Sequence, residues 1–225
     1  MNFYGRIRSN NAREIRFNFN EYNAVIRKRI SESKFIIDES RKRLIKVNNP
    51  TTPKLYGLPK LRKNGIPMRP IISFVSAPSY HLCKHLNKWF HSYTSFLPKY
   101  AVSNSCDPVG KITNLPIPPN SILVSFDVVS LYTNVPIQPT LTRVSEILEQ
   151  HKILPPVADE CVSLLKTCLE PNICQFNNEI YKFVDGLPLG SPTASLMANI
   201  FMDSLENMIF SSNHNSLSHV IYWFR

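Results

Sequence analysis

Apolar side chains return along this chain with two different periods. Leu82, Leu86, Trp89, Phe90 and Tyr93 recur every three to four positions, which predicts a helix over residues 79–96 with one face in a core. The same spacing of Leu141, Val144, Ile147 and Leu148 predicts a helix over 140–149, and that of Val157, Cys161, Leu164, Leu165 and Cys168 one over 157–169. Residues 20–47 are basic with intermittent apolar positions (Tyr22, Ile26, Ile30, Phe35, Ile37, Leu44) and read as one or two helices, interrupted at Pro50 and Pro53. Ser191 as N-cap and Pro192 at the first helical position predict a last helix carrying Leu196, Met197, Ile200, Phe201, Leu205, Met208 and Ile209 on its apolar side.

Elsewhere the apolar residues form short runs. Residues 121–126 (S-I-L-V-S-F) read as a buried strand that delivers Asp127 at its end, and residues 219–224 (H-V-I-Y-W-F) as a second strand. Residues 173–176 and 179–184 flank Asn177-Asn178 and predict a hairpin. Asn64-Gly65 predicts another, because both turn positions favour positive φ. Pro59, Pro67 and Pro70 lie in its arms, so it belongs at a sheet edge. Residues 107–120 are Pro-rich and read as irregular. The elements together predict an α+β fold, with an antiparallel sheet and packed helices.

Composition narrows the class. The 225 residues are 43% hydrophobic and 11% aromatic, enough for a core and too apolar for a disordered chain. No apolar run reaches the roughly 18 residues of a membrane span, so no membrane partner is expected. The N-terminus lacks the apolar stretch of a secretory signal. The formal charge of +10 is unevenly placed: residues 1–70 hold 17 Lys or Arg against 5 Asp or Glu, whereas the remainder is close to neutral. A basic segment of this kind suits a polyanion, nucleic acid first, although a solvated helix surface explains it equally well. The five cysteines are odd in number and contain no C-x-x-C, which supports neither a disulfide framework nor a zinc ribbon. His81-x-Cys83-x-His85 falls within a helix, where positions i and i+2 do not share a face, and argues little for a metal.

Three places carry candidate chemistry. Asp127 ends an apolar run, as a metal ligand does on an α/β scaffold, although an Asp opening a turn looks the same. Gly186-Leu187-Pro188-Leu189-Gly190-Ser191-Pro192 leads into a helix and would let a backbone approach a phosphate or nucleotide closely, or is an ordinary loop. Lys60, Arg62, Lys63 and Arg69 cluster around the first hairpin and suit a triphosphate or a nucleic-acid backbone, or are a solvated tip.

Four segments in this order resemble the reverse transcriptases of Penelope-like retroelements. They are Y-G-L-P-K at 56–60 with R-P-I-I-S at 69–73; S-F-D-V-V-S-L-Y-T-N-V-P at 125–136; G-S-P at 190–192 with A-N-I-F-M at 198–202; and the terminal W-F-R at 223–225. The likeness covers most of the chain from about Thr51 onward and is loose before it.

The resemblance implies a right-hand polymerase fold. A basic helical segment (1–50) would precede a fingers-like region with the basic hairpin (51–120) and a partial palm (121–225). Asp127 would match the first metal-binding aspartate, and Tyr132 the aromatic under the incoming sugar. Arg69 and Lys60 would hold the triphosphate, Gly190 and Ser191 the nucleotide, while Pro192, Arg62 and Lys63 would contact nucleic acid. The implied partners are an RNA template, a DNA primer and dNTPs. The implied cofactor is Mg2+ in a two-ion site, which needs several carboxylates. The family supplies the others as an aspartate pair after a strand matching 219–224. This sequence has no Asp-Asp, and Asp185 and Asp203 lie where the family places no metal ligand. The expected activity is therefore that of a reverse transcriptase fragment that extends no primer. The alternatives are a catalytically dead nucleic-acid-binding fragment and an unstable relic. A functional retroelement enzyme would act in the nucleus, though no import signal stands out beyond the basic clusters.

Overall fold

A computed structural model describes residues 12–62, 64–104, 106–113, 115–183, 185–188, 190–212 and 215–225. The architecture is α+β. In chain order the elements are β1 (Ala12–Glu14), α1 (Phe19–Glu32), α2 (Glu39–Ile45), β2 (Lys54–Pro59), β3 (Met68–Ser73), α3 (Tyr80–Thr94), α4 (Cys106–Ile112), α5 (Leu131–Asn134), α6 (Ile137–Gln150), α7 (Pro155–Leu169), β4 (Ile173–Phe176), β5 (Glu179–Phe183) and α8 (Ala194–Ser211). A 3-10 turn, Asn215–His219, follows.

The periodic helices form as expected because each has one apolar stripe to bury. Ile26 and Ile30 of α1, Leu82, Leu86 and Phe90 of α3, Val144 and Leu148 of α6, Leu165 of α7 and Met197 and Ile200 of α8 enter one core, all nearly inaccessible to water. This core draws on the N-terminal helices, the middle of the chain and its C-terminal third alike. Cys161 and Cys168 lie in it, as their place on the helical stripe implies. All five cysteines are free thiols. Burial pushes the Cys161 thiol up to about 12. His81 and Cys83 diverge on α3: Cys83 is fully buried, whereas His81 faces solvent.

The α1–α2 connection is closed by an internal anion. The Glu160 carboxylate of α7 accepts from the Ser33 hydroxyl (2.5 Å) and from the backbone N–H groups of Lys34 (2.9 Å), Phe35 (3.2 Å) and Ile36 (3.0 Å). Partial burial alone would raise its pKa. The hydroxyl and the three N–H donors outweigh that and hold it below the ordinary glutamate value.

The five strands lie in the order β1-β5-β4-β2-β3. The sheet is mixed rather than purely antiparallel: β2 runs parallel to β4, with Lys54 opposite Gln175, and this contact joins two hairpins side by side. In the β4–β5 hairpin Phe176 faces Glu179, and Asn177 and Asn178 have φ of 49° and 64°. That is the two-residue turn their sequence predicts.

The first hairpin is at the sheet edge, as its prolines require, but its turn differs. Pro59 faces Met68, and Lys60 N–H donates to Pro67 O (2.9 Å), the last backbone bond among the described residues of the hairpin. In this register Lys60 lies opposite Pro67, so Asn64-Gly65 is not the centre of a two-residue turn. Pro67 has no N–H to return a bond, so the ladder cannot tighten toward that dipeptide.

Three further expectations fail. Residues 107–120 are not wholly irregular. Asn104 Oδ1 accepts from the N–H groups of Cys106 (2.9 Å) and Asp107 (3.1 Å), and this cap starts α4. Residues 121–126 form no strand and are not buried: Ile122 is 83% exposed, Leu123 94% and Phe126 73%. A strand is made by pairing, and no ladder engages this run among the described residues. Residues 219–224 form no strand either. Its end is held by Trp223 Nε1, which donates to Glu206 of α8 (3.0 Å), by Arg225, which pairs with the same carboxylate (3.0 Å), and by backbone bonds from Arg225 N–H to Tyr100 O (2.7 Å) and from Val102 N–H to Arg225 O (2.8 Å).

Candidate functional site

Four of the candidate residues, Tyr132, Gly190, Ser191 and Pro192, lie in or against the loop between β5 and α8. Gly186 is seated against α5: with φ at +86°, an added Cβ would lie 2.5 Å from Thr133 O. Gly190 is seated against β3, where an added Cβ would collide with Ile72 O at a φ of +125°. Only glycine allows both the left-handed backbone and the approach. Leu187 N–H donates to Tyr132 O (2.5 Å), which fastens the loop to α5 beside the tyrosine. The loop thus bridges α5, carrying Tyr132, and the basic hairpin.

Two polar residues that sequence reasoning left without a role hold this arrangement. Asp185 Oδ1 accepts from Gly186 N–H (2.9 Å) and from Ile137 N–H (3.0 Å), the first residue of α6. A carboxylate there also suits the positive end of the helix. Asn172 Nδ2 donates to Gly186 O (2.7 Å) from just before β4. Asn172, Asp185, Thr133 and Ile72 help line a cavity of about 20 Å³, room for one water, and the Asn172 Oδ1 is unpaired among the described residues. The sequence signal for Asp185 was its place directly before a glycine loop. That for Asn172 was nil.

Ser191 does not begin the last helix. It is buried, its Oγ lies 3.1 Å from Thr193 Oγ1 and donates to Cys83 Sγ at 4.0 Å, and its carbonyl accepts from Ala194 N–H (3.1 Å). Thr193 is the N-cap and Pro192 precedes it, so α8 starts later than the Ser-Pro signature implies. The inward turn of the hydroxyl toward the sulfur removes it from a capping role. The Cys168 thiol, then the Ser191, Thr193 and Ser79 hydroxyls, lower the Cys83 thiol against its burial, and the same contact raises Cys168. Tyr132 is half-buried, with its hydroxyl 3.5 Å from Ser195 Oγ.

On the hairpin, Leu58 faces Arg69 and Tyr56 faces Ile71, so Lys54, Tyr56, Leu58, Lys60 and Arg69 share one face by strand alternation. Arg69 and Arg62 are exposed and Lys60 half-buried, and no ion pair among the described residues engages them. Lys63 lies outside the described residues. From Ser40 to Cys106 the sequence has no Asp or Glu and 12 Lys or Arg. The local field of this stretch therefore favours an anion.

Asp127 stands apart. It is exposed and makes no hydrogen bond or ion pair among the described residues. The ring of its neighbour Phe126 lies 5.9 Å from the Trp223 ring. Three carboxylates of the C-terminal part are committed elsewhere: Asp185 to two backbone N–H groups, Asp203 to Lys99 N–H (2.8 Å) and Asn207, and Glu206 to Trp223 and Arg225. No group of three or more His, Cys, Asp or Glu side chains converges among the described residues. A two-ion centre needs several carboxylates together, so the residues placed here do not fit one. No described helix is long and apolar enough to cross a membrane.

Compared with models of protein families and with curated proteins, the chain matches none.

Proposed function

We propose that this chain is the fingers and the first part of the palm of a reverse transcriptase of the Penelope-like kind, and that it binds nucleic acid without itself extending a primer. The observation that carries the reading is the ordered set of four motifs, with S-F-D-V-V-S-L-Y-T-N-V-P the most specific. The contiguity of the G-S-P loop with Tyr132's helix and with the strand that bears Arg69 supports it. In this reading Lys60, Arg62, Lys63 and Arg69 contact the triphosphate and the backbones of an RNA template and a DNA primer. Tyr132 and the Gly190-Ser191-Pro192 loop border the nucleotide, and Asp127 is the one carboxylate offered to Mg2+. No catalytic step is drawn through that ion, because one exposed carboxylate does not hold two cations.

A second reading, a binding module without chemistry, is favoured by the isolation of Asp127 and the commitment of Asp185, Asp203 and Glu206. The test joins two assays on the whole chain. An RNA–DNA hybrid should bind with an affinity that falls about tenfold or more between low and moderate salt, and falls again when Lys60, Lys63 and Arg69 are neutralised. Affinity that ignores both changes rejects the polyanion-binding reading. Primer extension with Mg2+ or Mn2+ should give no product. Template-dependent incorporation lost in Asp127→Ala would establish a working polymerase and overturn the inactive assignment.

A further inference from the structure

The tip of the first hairpin combines two properties that a solvated turn does not need. Leu61 is 76% exposed and Ile66 55%, and they flank the connection at its two ends. Isolated exposed apolar residues are unremarked on most surfaces. Here both stand at the end of a projecting edge hairpin, beyond the last backbone bond from Lys60 to Pro67, on a sheet whose buried side begins only at Leu55 and Ile72. The cations Lys60, Arg62 and Arg69 belong to the same hairpin, inside the acid-free stretch from Ser40 to Cys106.

Resting on the nucleic-acid reading above, we propose that this tip is a wedge for duplex ends: Leu61 and Ile66 stack against or between the terminal base pairs while Lys60, Arg62 and Arg69 hold the flanking phosphates. Apolar side chains inserted at a base step unstack it, and the phosphate contacts around them repay that cost. The backbone is suited to the task. Pro59 and Pro67 stiffen the arms, and the hairpin is anchored at its base by Leu55 and Ile72 in the core and by the parallel contact to β4. An anionic lipid surface also attracts cations with apolar tips. Two aliphatic side chains are a marginal anchor for a bilayer, however, whereas a wedge needs no more than one or two.

The experiment uses the full chain and a blunt DNA duplex with 2-aminopurine at one terminal pair and a dye at the other end. Dye anisotropy reads binding and 2-aminopurine emission reads unstacking. The wild-type chain should bind and raise the emission at least twofold at saturation. Leu61→Ser with Ile66→Ser should keep the affinity within about threefold and abolish the rise. Lys60→Gln with Arg62→Gln and Arg69→Gln should lower the affinity at least tenfold. Leu61, Ile66, Arg62 and Arg69 are exposed and Lys60 is half-buried, and circular dichroism verifies that the variants keep the wild-type fold. Binding without any rise in emission, or a rise that survives the double serine variant, overturns the wedge while leaving the nucleic-acid reading intact. No binding at low salt overturns both. Flotation with phosphatidylglycerol vesicles that depends on Leu61 and Ile66, with emission unchanged on DNA, replaces the wedge with a membrane contact.

Discussion

Residues 173–176 and residues 121–126 are both short apolar runs, and they end in opposite states. Ile173 and Cys174 are buried in β4, paired with β5 on one side and β2 on the other. Ile122, Leu123 and Phe126 stand in solvent without a strand. The runs differ little in hydrophobicity, so composition does not separate them. What separates them is the backbone nearby. Asn177-Asn178 turns β4 directly onto β5, and loop closure over two residues costs little. The 121–126 run follows Pro116, Pro118, Pro119 and left-handed Asn120, and its one ring contact among the described residues is Phe126 with Trp223. A β-signal is a statement about one partner of a pair.

This contrast can be broken or sharpened by substitution. The largest effect is expected at Gly190→Ala. The new Cβ meets Ile72 O in a left-handed backbone, and the stability lost should reach about 3 kcal/mol or more, read as a large drop in thermal midpoint. A near-neutral result would mean that the loop is not clamped to β3. Next, Leu148→Ala in the helical core should cost about 3 kcal/mol in denaturant unfolding. Its counterpart Leu123→Ser should stay within about 0.5 kcal/mol. A cost at Leu123 similar to that at Leu148 would show that residues 121–126 are buried in solution and would undo the comparison.

Glu160→Gln should cost about 1–2 kcal/mol near neutral pH, since it replaces a carboxylate that accepts from four donors by an amide. The sign of the pH dependence follows from the depressed pKa. The ionised form is favoured in the folded state, so its contribution is complete above the ordinary glutamate range and is lost as pH falls through the lowered value. The gap between wild type and variant should therefore narrow on acidification, measured as the difference in urea midpoints at pH 7 and near pH 3. A gap that widens instead would exclude the ionised latch. The smallest effect is expected from Cys106→Ser, an exposed thiol, within about 0.3 kcal/mol, whereas modification of Cys161 or Cys174 by a thiol reagent should require unfolding.

The helices were legible because their signal is local. A stripe of Leu, Ile and Val at the helical period has one way to bury itself, and α1, α3, α6, α7 and α8 appear where the stripes lie, except that Met208 and Ile209 at the end of α8 stay exposed because the core ends before them. The Asn177-Asn178 turn was legible for the same reason, since its two φ values are set by the residues themselves. The site was half legible. Glycine at 186 and 190 signalled close approach, and Lys60 and Arg69 were expected together and do share a hairpin face. Asn172 and Asp185 were not found, because a side chain that holds a distant backbone leaves no periodic trace. Ser191-Pro192 misled, because a capping serine and one that turns inward to a sulfur are the same residue in sequence.

The sequence by itself determined the α+β class, the helical core, the edge position of the basic hairpin and the excess of cations ahead of residue 107. Each of these follows from period, from proline's missing donor or from charge, all properties of neighbouring residues. The tertiary structure alone decided that residues 121–126 and 219–224 do not pair, that β2 meets β4 in parallel, and that Asp185 and Glu206 serve the backbone and an arginine. Those outcomes depend on which groups far apart in the chain come within hydrogen-bond distance, and a single strand of text carries no record of that distance.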